Sequence, residues 1–159
     1  MELNCNNEGF SLDYNGILEY QKNRYPMLMI DYVEEVIPGK SARGFKNLTA
    51  NDWFFKDHFP GDPNMQGSLQ IDALVQMFIL TFLTLPGNKG LATNFIEINN
   101  AKFKKKVVPG DKLIIMSELK SFKRGIAKGS SVGYINDEVA CSADFIIAVP
   151  DILKQNLPK

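Results

Sequence analysis

The pattern of apolar and polar positions gives this chain one long apolar segment, which runs over residues 68–85. Its apolar side chains fall on every side of a helical projection, and this is typical of a helix that is buried all round. Pro86-Gly87 follows directly and predicts the helix end. The segment approaches the length of a membrane span, but polar residues interrupt it at Gln70, Asp72 and Gln76. We therefore expect a buried core helix that begins at Gly67 or Ser68.

Six other segments have the composition of β-strands. Residues 27–37 and 41–48 flank the turn signal Pro38-Gly39 and predict a hairpin. Four more follow the helix and are separated by short turns rich in glycine, asparagine and aspartate: residues 93–104, 112–122, 126–135 and 139–149. One long helix with about six antiparallel strands predicts an α+β fold, in which a sheet wraps around a central helix.

Length and composition limit the classes of function. The 159 residues fit a single domain, with residues 1–26 as an N-terminal leader segment. Acidic and basic residues balance, so no overall charge favours nucleic acid. The N-terminus lacks the basic and apolar regions of a signal peptide, which predicts a cytoplasmic protein that is not bound to membranes. Cys5 and Cys141 do not suggest a disulfide framework, and no cluster of metal ligands is evident.

The charges are unevenly distributed along the chain. The stretch from Lys102 to Lys128 holds nine of the eighteen basic residues and only two acidic ones. Adjacent antiparallel strands could bring its two groups, around Lys105 and around Lys123 and Arg124, to one edge of the sheet. The pattern is consistent with a surface for an acidic partner and equally with a solvated sheet rim.

One histidine and one carboxyl carry the candidate chemistry. His58 is the only histidine, and it lies in the glycine- and proline-rich loop DHFPGDPNMQG, residues 57–67. Asp72 is the only ionisable residue of the predicted helix; a buried carboxyl is either protonated or has polar partners. Histidine titrates near neutral pH, so the two residues could form an acid/base pair. The alternatives are a structural loop histidine and, for the polar stripe of Ser68, Asp72 and Gln76, a solvent-facing position or a hydrogen bond to another helix.

The predicted helix start offers a second chemical group. The backbone N–H of Gly67 would be unpaired and supported by the helix dipole, so it could donate to an oxyanion. Glycine is also common in any loop-to-helix turn. Nucleophilic catalysis is a weaker interpretation, because Ser68 has no second histidine to activate it and the two cysteines lie in a tail and in a strand.

An ordered set of motifs resembles the β-hydroxyacyl-acyl-carrier-protein dehydratases of bacterial fatty acid synthesis, over residues 17 to 148. The set consists of Arg24-Tyr25-Pro26, residues 28–31, His58 to Pro63, Met65, Gly67, Asp72-Ala73, Gln76, Ala101 to Lys104 and Val107 to Asp111. The run WFF at residues 53–55, and aspartate rather than glutamate at position 72, resemble the dehydratase/isomerase branch. The Arg-Tyr-Pro motif and the Lys-Phe-Lys to Pro-Gly-Asp block resemble the general dehydratase branch.

The resemblance implies a hotdog fold, in which a curved antiparallel sheet wraps one long helix. It implies a homodimer whose active sites take His58 from one subunit and Asp72 from the other; hexamers of three such dimers also occur in the family. It further implies an acyl carrier protein as partner and a reaction without metal or redox cofactor. Because carrier proteins are acidic, the basic residues noted above, with Lys105, Lys123 and Arg124 as candidates, could form the surface on which the carrier docks. Gly67 would complete the catalytic set, and the implied substrate-binding residues are Phe59, Pro60, Gly61, Ser68, Gln76 and Phe103.

Three positions depart from the family pattern. Gln66 stands where the family usually has proline, and Asn23 where it often has histidine. Ser68 replaces the reactive cysteine of the isomerase branch, so isomerase activity is not implied. The expected activity is dehydration of (3R)-3-hydroxyacyl thioesters. A hotdog thioesterase, and a catalytically weakened subunit that binds acyl thioesters, are the alternatives.

Overall fold

The computed structural model of the protein describes residues 8–158. Within that range an N-terminal strand and short helix precede the hairpin, the long helix and four further strands, and a short helix follows the last strand. The elements in chain order are β1 (Phe10–Leu12), α1 (Tyr14–Tyr20), β2 (Tyr32–Ile37), β3 (Ser41–Asn47), α2 (Gly67–Leu83), β4 (Asn94–Phe103), β5 (Lys112–Lys123), β6 (Ile126–Ile135), β7 (Glu138–Ala148) and α3 (Pro150–Gln155). The expected α+β layout is confirmed, with seven strands in place of about six.

The strands form one antiparallel sheet in the order β1-β2-β3-β5-β6-β7-β4. Strand β4 follows α2 in the chain yet pairs with the last strand, β7, so it becomes an edge of the sheet. The opposite edge is β1, which is only three residues long. The sheet therefore has one long edge strand and one short one.

Helix α2 packs directly on the sheet, and 14 of its 17 residues are buried. Glycines in the facing strands allow this close approach: a Cβ atom at Gly129 would lie 2.5 Å from a ring carbon of Phe78. A buried pair of hydroxyls adds a polar contact, because Ser131 Oγ donates to the carbonyl oxygen of Leu74 at 3.0 Å and lies 2.7 Å from Ser117 Oγ. The helix position is thus determined by apolar burial together with satisfied polar contacts such as this one.

The N-terminal segment differs from the prediction of a leader. Asp13 caps α1 by accepting the N–H of Gly16 at 2.8 Å, and the side chain of Ile17 is fully buried in the core. Strand β1 pairs with β2, so residues 10–20 are part of the fold. So short a strand lacks the alternation that would identify it in a sequence.

Two further features concern a possible membrane span and the cysteines. None of the helices in residues 8–158 combines the length and apolar character needed to span a bilayer. Cys141 is a buried free thiol, and burial raises its pKa to about 12, so a nucleophilic thiolate is strongly disfavoured. Cys5 lies outside the described residues.

Candidate active site

The loop around His58 holds the imidazole in one orientation. The Nδ1 atom lies 3.0 Å from the carbonyl oxygen of Asn64, and the Asn64 N–H donates back to the carbonyl oxygen of His58 at 2.8 Å. Because a carbonyl can only accept, this contact assigns the ring proton to Nδ1 in the neutral imidazole. Nε2 is then left with its lone pair free, as a general base requires.

The residues after His58 form a tight, exposed turn. Phe59 and Asp62 exchange two backbone hydrogen bonds of 3.0 and 2.9 Å, and Gly61 has a φ of +80°, a conformation that favours glycine. The Phe59 ring stacks on the imidazole with ring centroids 4.1 Å apart and is half exposed. Of the residues predicted to bind substrate here, Phe59 contacts His58, whereas Pro60 and Gly61 are exposed parts of the turn.

Helix α2 begins at Gly67 and presents unpaired backbone donors there. In the part of the chain that the structure describes, the N–H groups of residues 66–69 have no hydrogen-bond partner. Gln66 has φ −57° and ψ 143°, so the backbone that leads into Gly67 has the conformation that a proline would impose. The helix start is therefore a set of free donors reinforced by the helix dipole.

Phe103, predicted to bind substrate, lies against the helix start at Gly67. A Cβ atom at Gly67 would lie 3.1 Å from Phe103 Cζ, so a larger residue here would push the half-exposed ring away from the helix start by a few tenths of an ångström. An open cleft of about 430 Å³ adjoins this point and is lined by Asn64, Met65, Gly67, Gln70, Phe103, Lys104, Lys105 and Lys106. Ser68, also predicted to bind substrate, is exposed and lies 3.5 Å from the Gln66 side chain.

Asp72 is half-buried on α2, and burial raises the pKa of its carboxyl. It adjoins a separate pocket of about 110 Å³ lined by Asn23, Asp72, Val75, Gln76, Ile79, Thr93, Asn94, Phe95 and Ile147. A raised pKa favours the protonated form, which suits a general acid.

Gln76 was predicted to bind substrate, but the structure engages both ends of its amide. Oε1 accepts the N–H of Met29 and Nε2 donates to the carbonyl oxygen of Met27, each at 2.7 Å. These bonds attach residues 27–29 to α2, in a stretch predicted as strand that precedes β2. The side chain thus builds the wall of the Asp72 pocket and has little hydrogen-bonding capacity left for a ligand.

The large apolar residues at the centre of α2 do not line the Asp72 pocket. Met77, Phe78 and Leu80 are fully buried in the core between α2 and the sheet. The apolar part of the Asp72 pocket comes instead from Val75 and Ile79 on α2, with Phe95 and Ile147 from two strands. The sequence analysis did not assign these four residues to a pocket. For Phe95 it indicated only a position in the strand that follows the helix.

One protomer does not bring the candidate groups into a single cavity. The cleft at Gly67 and the pocket at Asp72 have no lining residue in common. Strand β4 connects them, because Phe103 near its end lines the cleft and Asn94 and Phe95 at its start line the pocket.

The edge strand β4 is exposed along its whole length. All ten residues are solvent-accessible, and four of them are large apolar residues: Phe95, Ile96, Ile98 and Phe103. Within residues 8–158 its second edge pairs with no strand. A long apolar edge strand is a surface for pairing with another chain.

The two basic groups lie at opposite ends of the sheet within one protomer. Phe103, which precedes Lys104 to Lys106, pairs with Cys141, whereas Ile126, next to Lys123 and Arg124, pairs with Ala148. Seven residues of β7 separate the two positions, which corresponds to about 23 Å. The expectation that adjacent strands place both groups on one edge of a protomer is therefore wrong.

The chain is similar to a known protein family over most of its length. The family model described as a FabA-like domain matches residues 22–144. The chain is 43% identical over 135 residues to the 3-hydroxyacyl-[acyl-carrier-protein] dehydratase FabZ of Alkaliphilus metalliredigens, covering 83% of this chain and 92% of that one. It is 42% identical over 137 residues to the protein of the same name from Clostridium novyi, covering 84% and 96%.

A solved structure supports the fold independently of close sequence similarity. A sigma28-regulated virulence protein from Campylobacter jejuni superimposes with a TM-score of 0.62 at 12% identity, covering 84% of this chain and 86% of that one. The motifs of the His58 loop and of α2 lie inside the matched range, and the sequence relatives are matched over nearly their whole length. The chain therefore belongs to the FabA-like family and is similar in sequence to the FabZ proteins named here.

Proposed function

We propose that the protein dehydrates (3R)-3-hydroxyacyl-acyl carrier protein to the trans-2-enoyl thioester. The observation that carries the proposal is the fixed imidazole of His58, whose Nδ1 faces the Asn64 carbonyl and whose Nε2 is free to act as a base. The relatives that match nearly the whole chain carry the name of this activity. A carboxyl-only hydrolase would not need such a positioned histidine.

In the proposed reaction each residue has one task. The thioester carbonyl accepts from the Gly67 N–H, which stabilises the negative charge that develops on its oxygen. His58 Nε2 removes a proton from C2, the C2–C3 double bond forms, and the C3–O bond breaks. The protonated carboxyl of Asp72 donates its proton to the departing hydroxyl, so that water leaves. His58 returns its proton to solvent, and Asp72 takes one up.

The site is completed by a second copy of the chain in this proposal. If two β4 strands pair in antiparallel fashion about a two-fold axis, the Phe103 end of one strand lies beside the Asn94 end of the other. The cleft with Gly67 then faces the pocket with Asp72 of the partner subunit. The exposed apolar residues of β4 support this pairing. The two cavities are separate within one protomer, so a second subunit is needed to bring their residues into one site. Association of three such dimers into a hexamer is compatible with the same site.

The same pairing gives the carrier protein a docking surface. It brings Lys105 of one subunit to the end of the dimer site where Lys123 and Arg124 of the partner subunit lie, although these groups are far apart within a protomer. We propose that this composite basic surface receives the acidic carrier. Lys105 contacts Glu138 at 3.3 Å and Lys106 contacts Asp62 at 2.8 Å, so an acidic partner would compete with exposed ion pairs, which are weak. A cytoplasmic location belongs to the same proposal.

One assay separates the candidate functions. The protein is incubated with 3-hydroxyacyl-carrier and, separately, with trans-2-enoyl-carrier, and the products are weighed by mass spectrometry. We expect loss of one water from the first substrate and gain of one water by the second. Release of free acid from either would identify a thioesterase, and binding without any mass change would identify a non-catalytic subunit.

A further inference from the structure

The pocket beside Asp72 contains hydrogen-bonding groups that the proposed reaction does not use. Asp72 is needed as the acid, and the Gln76 amide is engaged at both ends by the backbone of residues 27–29. The side chains of Asn23, Thr93 and Asn94 remain; within one protomer, over residues 8–158, they make no hydrogen bond to protein and are reached by water, Asn23 and Thr93 being half-buried and Asn94 exposed. Two amides and one hydroxyl thus line a pocket of about 110 Å³.

The position of Asn23 is fixed by the local structure. Its backbone N–H donates to Oε1 of the buried Gln21 at 2.6 Å, and its carbonyl oxygen accepts from Arg24 at 3.0 Å. The side-chain amide is free of both contacts and lines the pocket. Asn94 is fixed as well, because it begins β4 and pairs with Ala148.

In the proposed reaction, the acyl chain of a substrate passes the pocket beside Asp72. Asp72 acts on the hydroxyl at C3, so the atoms beyond C3 lie on the far side of its carboxyl. Saturated methylenes placed there would remove water from the two amides and the hydroxyl without replacing their hydrogen bonds, and this is costly. An oxygen atom in the chain could accept from them.

Resting on the proposed dehydration, we propose that the pocket formed by Asn23, Thr93 and Asn94 is a specificity subsite for acyl chains with a second oxygen function within a few bonds of C3. The ligand class is an oxygenated 3-hydroxyacyl thioester, in contrast to a plain saturated chain. The subsite provides donors from the amides and the hydroxyl, and its four apolar residues accept the intervening carbons. A site that hydrogen-bonds a substrate discriminates against an analogue that lacks the bonding atom.

The test uses two N-acetylcysteamine thioesters of equal chain length, 3-hydroxy-5-methoxypentanoyl and 3-hydroxyheptanoyl, which differ by an ether oxygen in place of one methylene. We expect the wild-type protein to dehydrate the ether with a kcat/KM at least about ten-fold higher. Asn23→Leu and Asn94→Leu should each remove most of this preference by lowering the ether value and raising the saturated one. The matched control, Asn51→Leu in an exposed turn away from the pocket, should leave the preference unchanged.

The outcomes distinguish the subsite from the reaction itself. Equal or better turnover of the saturated substrate by the wild type would overturn the subsite and leave dehydration standing. A pocket that only holds water would give equal wild-type rates, and both rates would fall in the asparagine variants; this also overturns the subsite. Turnover of neither thioester, with carrier-bound substrates also inert, would overturn both. If the leucine variant at position 23 folds poorly, Asn23→Ser is measured in addition. Serine keeps a hydrogen-bonding group, so this variant should retain the ether preference.

Discussion

The Nδ1 atom of His58 lies 3.0 Å from the carbonyl oxygen of Asn64, six residues further along the same loop. A backbone carbonyl cannot release or take up a proton at neutral pH, so this contact selects the tautomer and leaves the free electron pair on Nε2. The loop therefore acts on the chemistry of the ring as well as on its position. The backbone bond from Asn64 N–H to the His58 carbonyl closes the same loop and does not depend on the imidazole.

His58→Ala should therefore remove activity with little change of fold. We expect the rate of dehydration to fall by roughly 10²–10⁴, which is typical for loss of a positioned base. The measurement is single-turnover conversion of a 3-hydroxyacyl thioester, with circular dichroism to verify folding. His58→Gln is the control for ring volume and should be equally inactive, since an amide is not a base. Near-normal turnover by either variant would exclude His58 as the base.

The shared site can be tested by complementation. Asp72→Asn and His58→Ala chains carrying different affinity tags are co-expressed, and heterodimers are purified through both tags. If each site combines one residue from each subunit, a heterodimer holds one intact site and should show about half the wild-type activity per dimer. Each homodimer should be inactive. Heterodimers without activity would place both residues of a site in the same chain.

The order of the strands explains which parts of this site a sequence can reveal. His58, Gly67 and Asp72 stand out because their residue types conflict with their surroundings: a lone histidine, a glycine at a helix start and a carboxyl in an apolar segment. The residues that surround these groups do not stand out by residue type, and Asn23 was notable only as a departure from the family pattern. Asn94 and Asn23 reach the Asp72 pocket only because β4 pairs with β7 and because Gln76 attaches residues 27–29 to the helix.

The error over the basic groups has the same origin. Alternation and turn signals located the strands to within about five residues, but they do not specify that β4 joins the sheet beyond β7. That pairing is determined by contacts between residues far apart in the sequence. Because of it, Lys105 and Lys123 lie at opposite ends of the protomer. The short β1 and α1 escaped prediction because their stability comes from burial of residues such as Ile17 rather than from a long periodic pattern.

Charge reversal tests the composite docking surface. Lys105→Glu, Lys123→Glu and Arg124→Glu should each raise KM for a carrier-bound substrate several-fold, and the effect should shrink as salt is added, because exposed charges act mainly by steering. KM for an N-acetylcysteamine thioester should not change. Lys40→Glu, an exposed charge in the β2–β3 turn, is the matched control. Equal effects of the three variants on both substrates would contradict docking at these residues.

The raised pKa of Asp72 makes a prediction about stability and pH. Burial raises the pKa of this carboxyl in the folded protein above its ordinary value, so the native state holds the proton more tightly than the unfolded chain. The contribution of Asp72 is fully favourable below the unfolded pKa and is lost as pH rises through the folded pKa. Unfolding of wild type and of Asp72→Asn in denaturant is measured from acid to neutral pH. We expect the asparagine variant to gain stability relative to wild type across that window; a constant difference would mean that burial does not perturb Asp72.

Gln66→Pro should stabilise the protein. The φ of Gln66, −57°, lies within the range of a proline ring, and in the described part of the chain its N–H has no hydrogen-bond partner to lose. Proline is also well tolerated where a helix begins. The gain comes from the lower entropy of the unfolded chain and should raise the free energy of unfolding by about 0.4–1 kcal/mol. Gln66→Ala is the control: it loses only the 3.5 Å contact with Ser68 and keeps the flexible backbone, so it should not stabilise. Denaturant unfolding of the three proteins measures the difference, and a proline variant less stable than the alanine variant would show that the loop into Gly67 does not tolerate the ring.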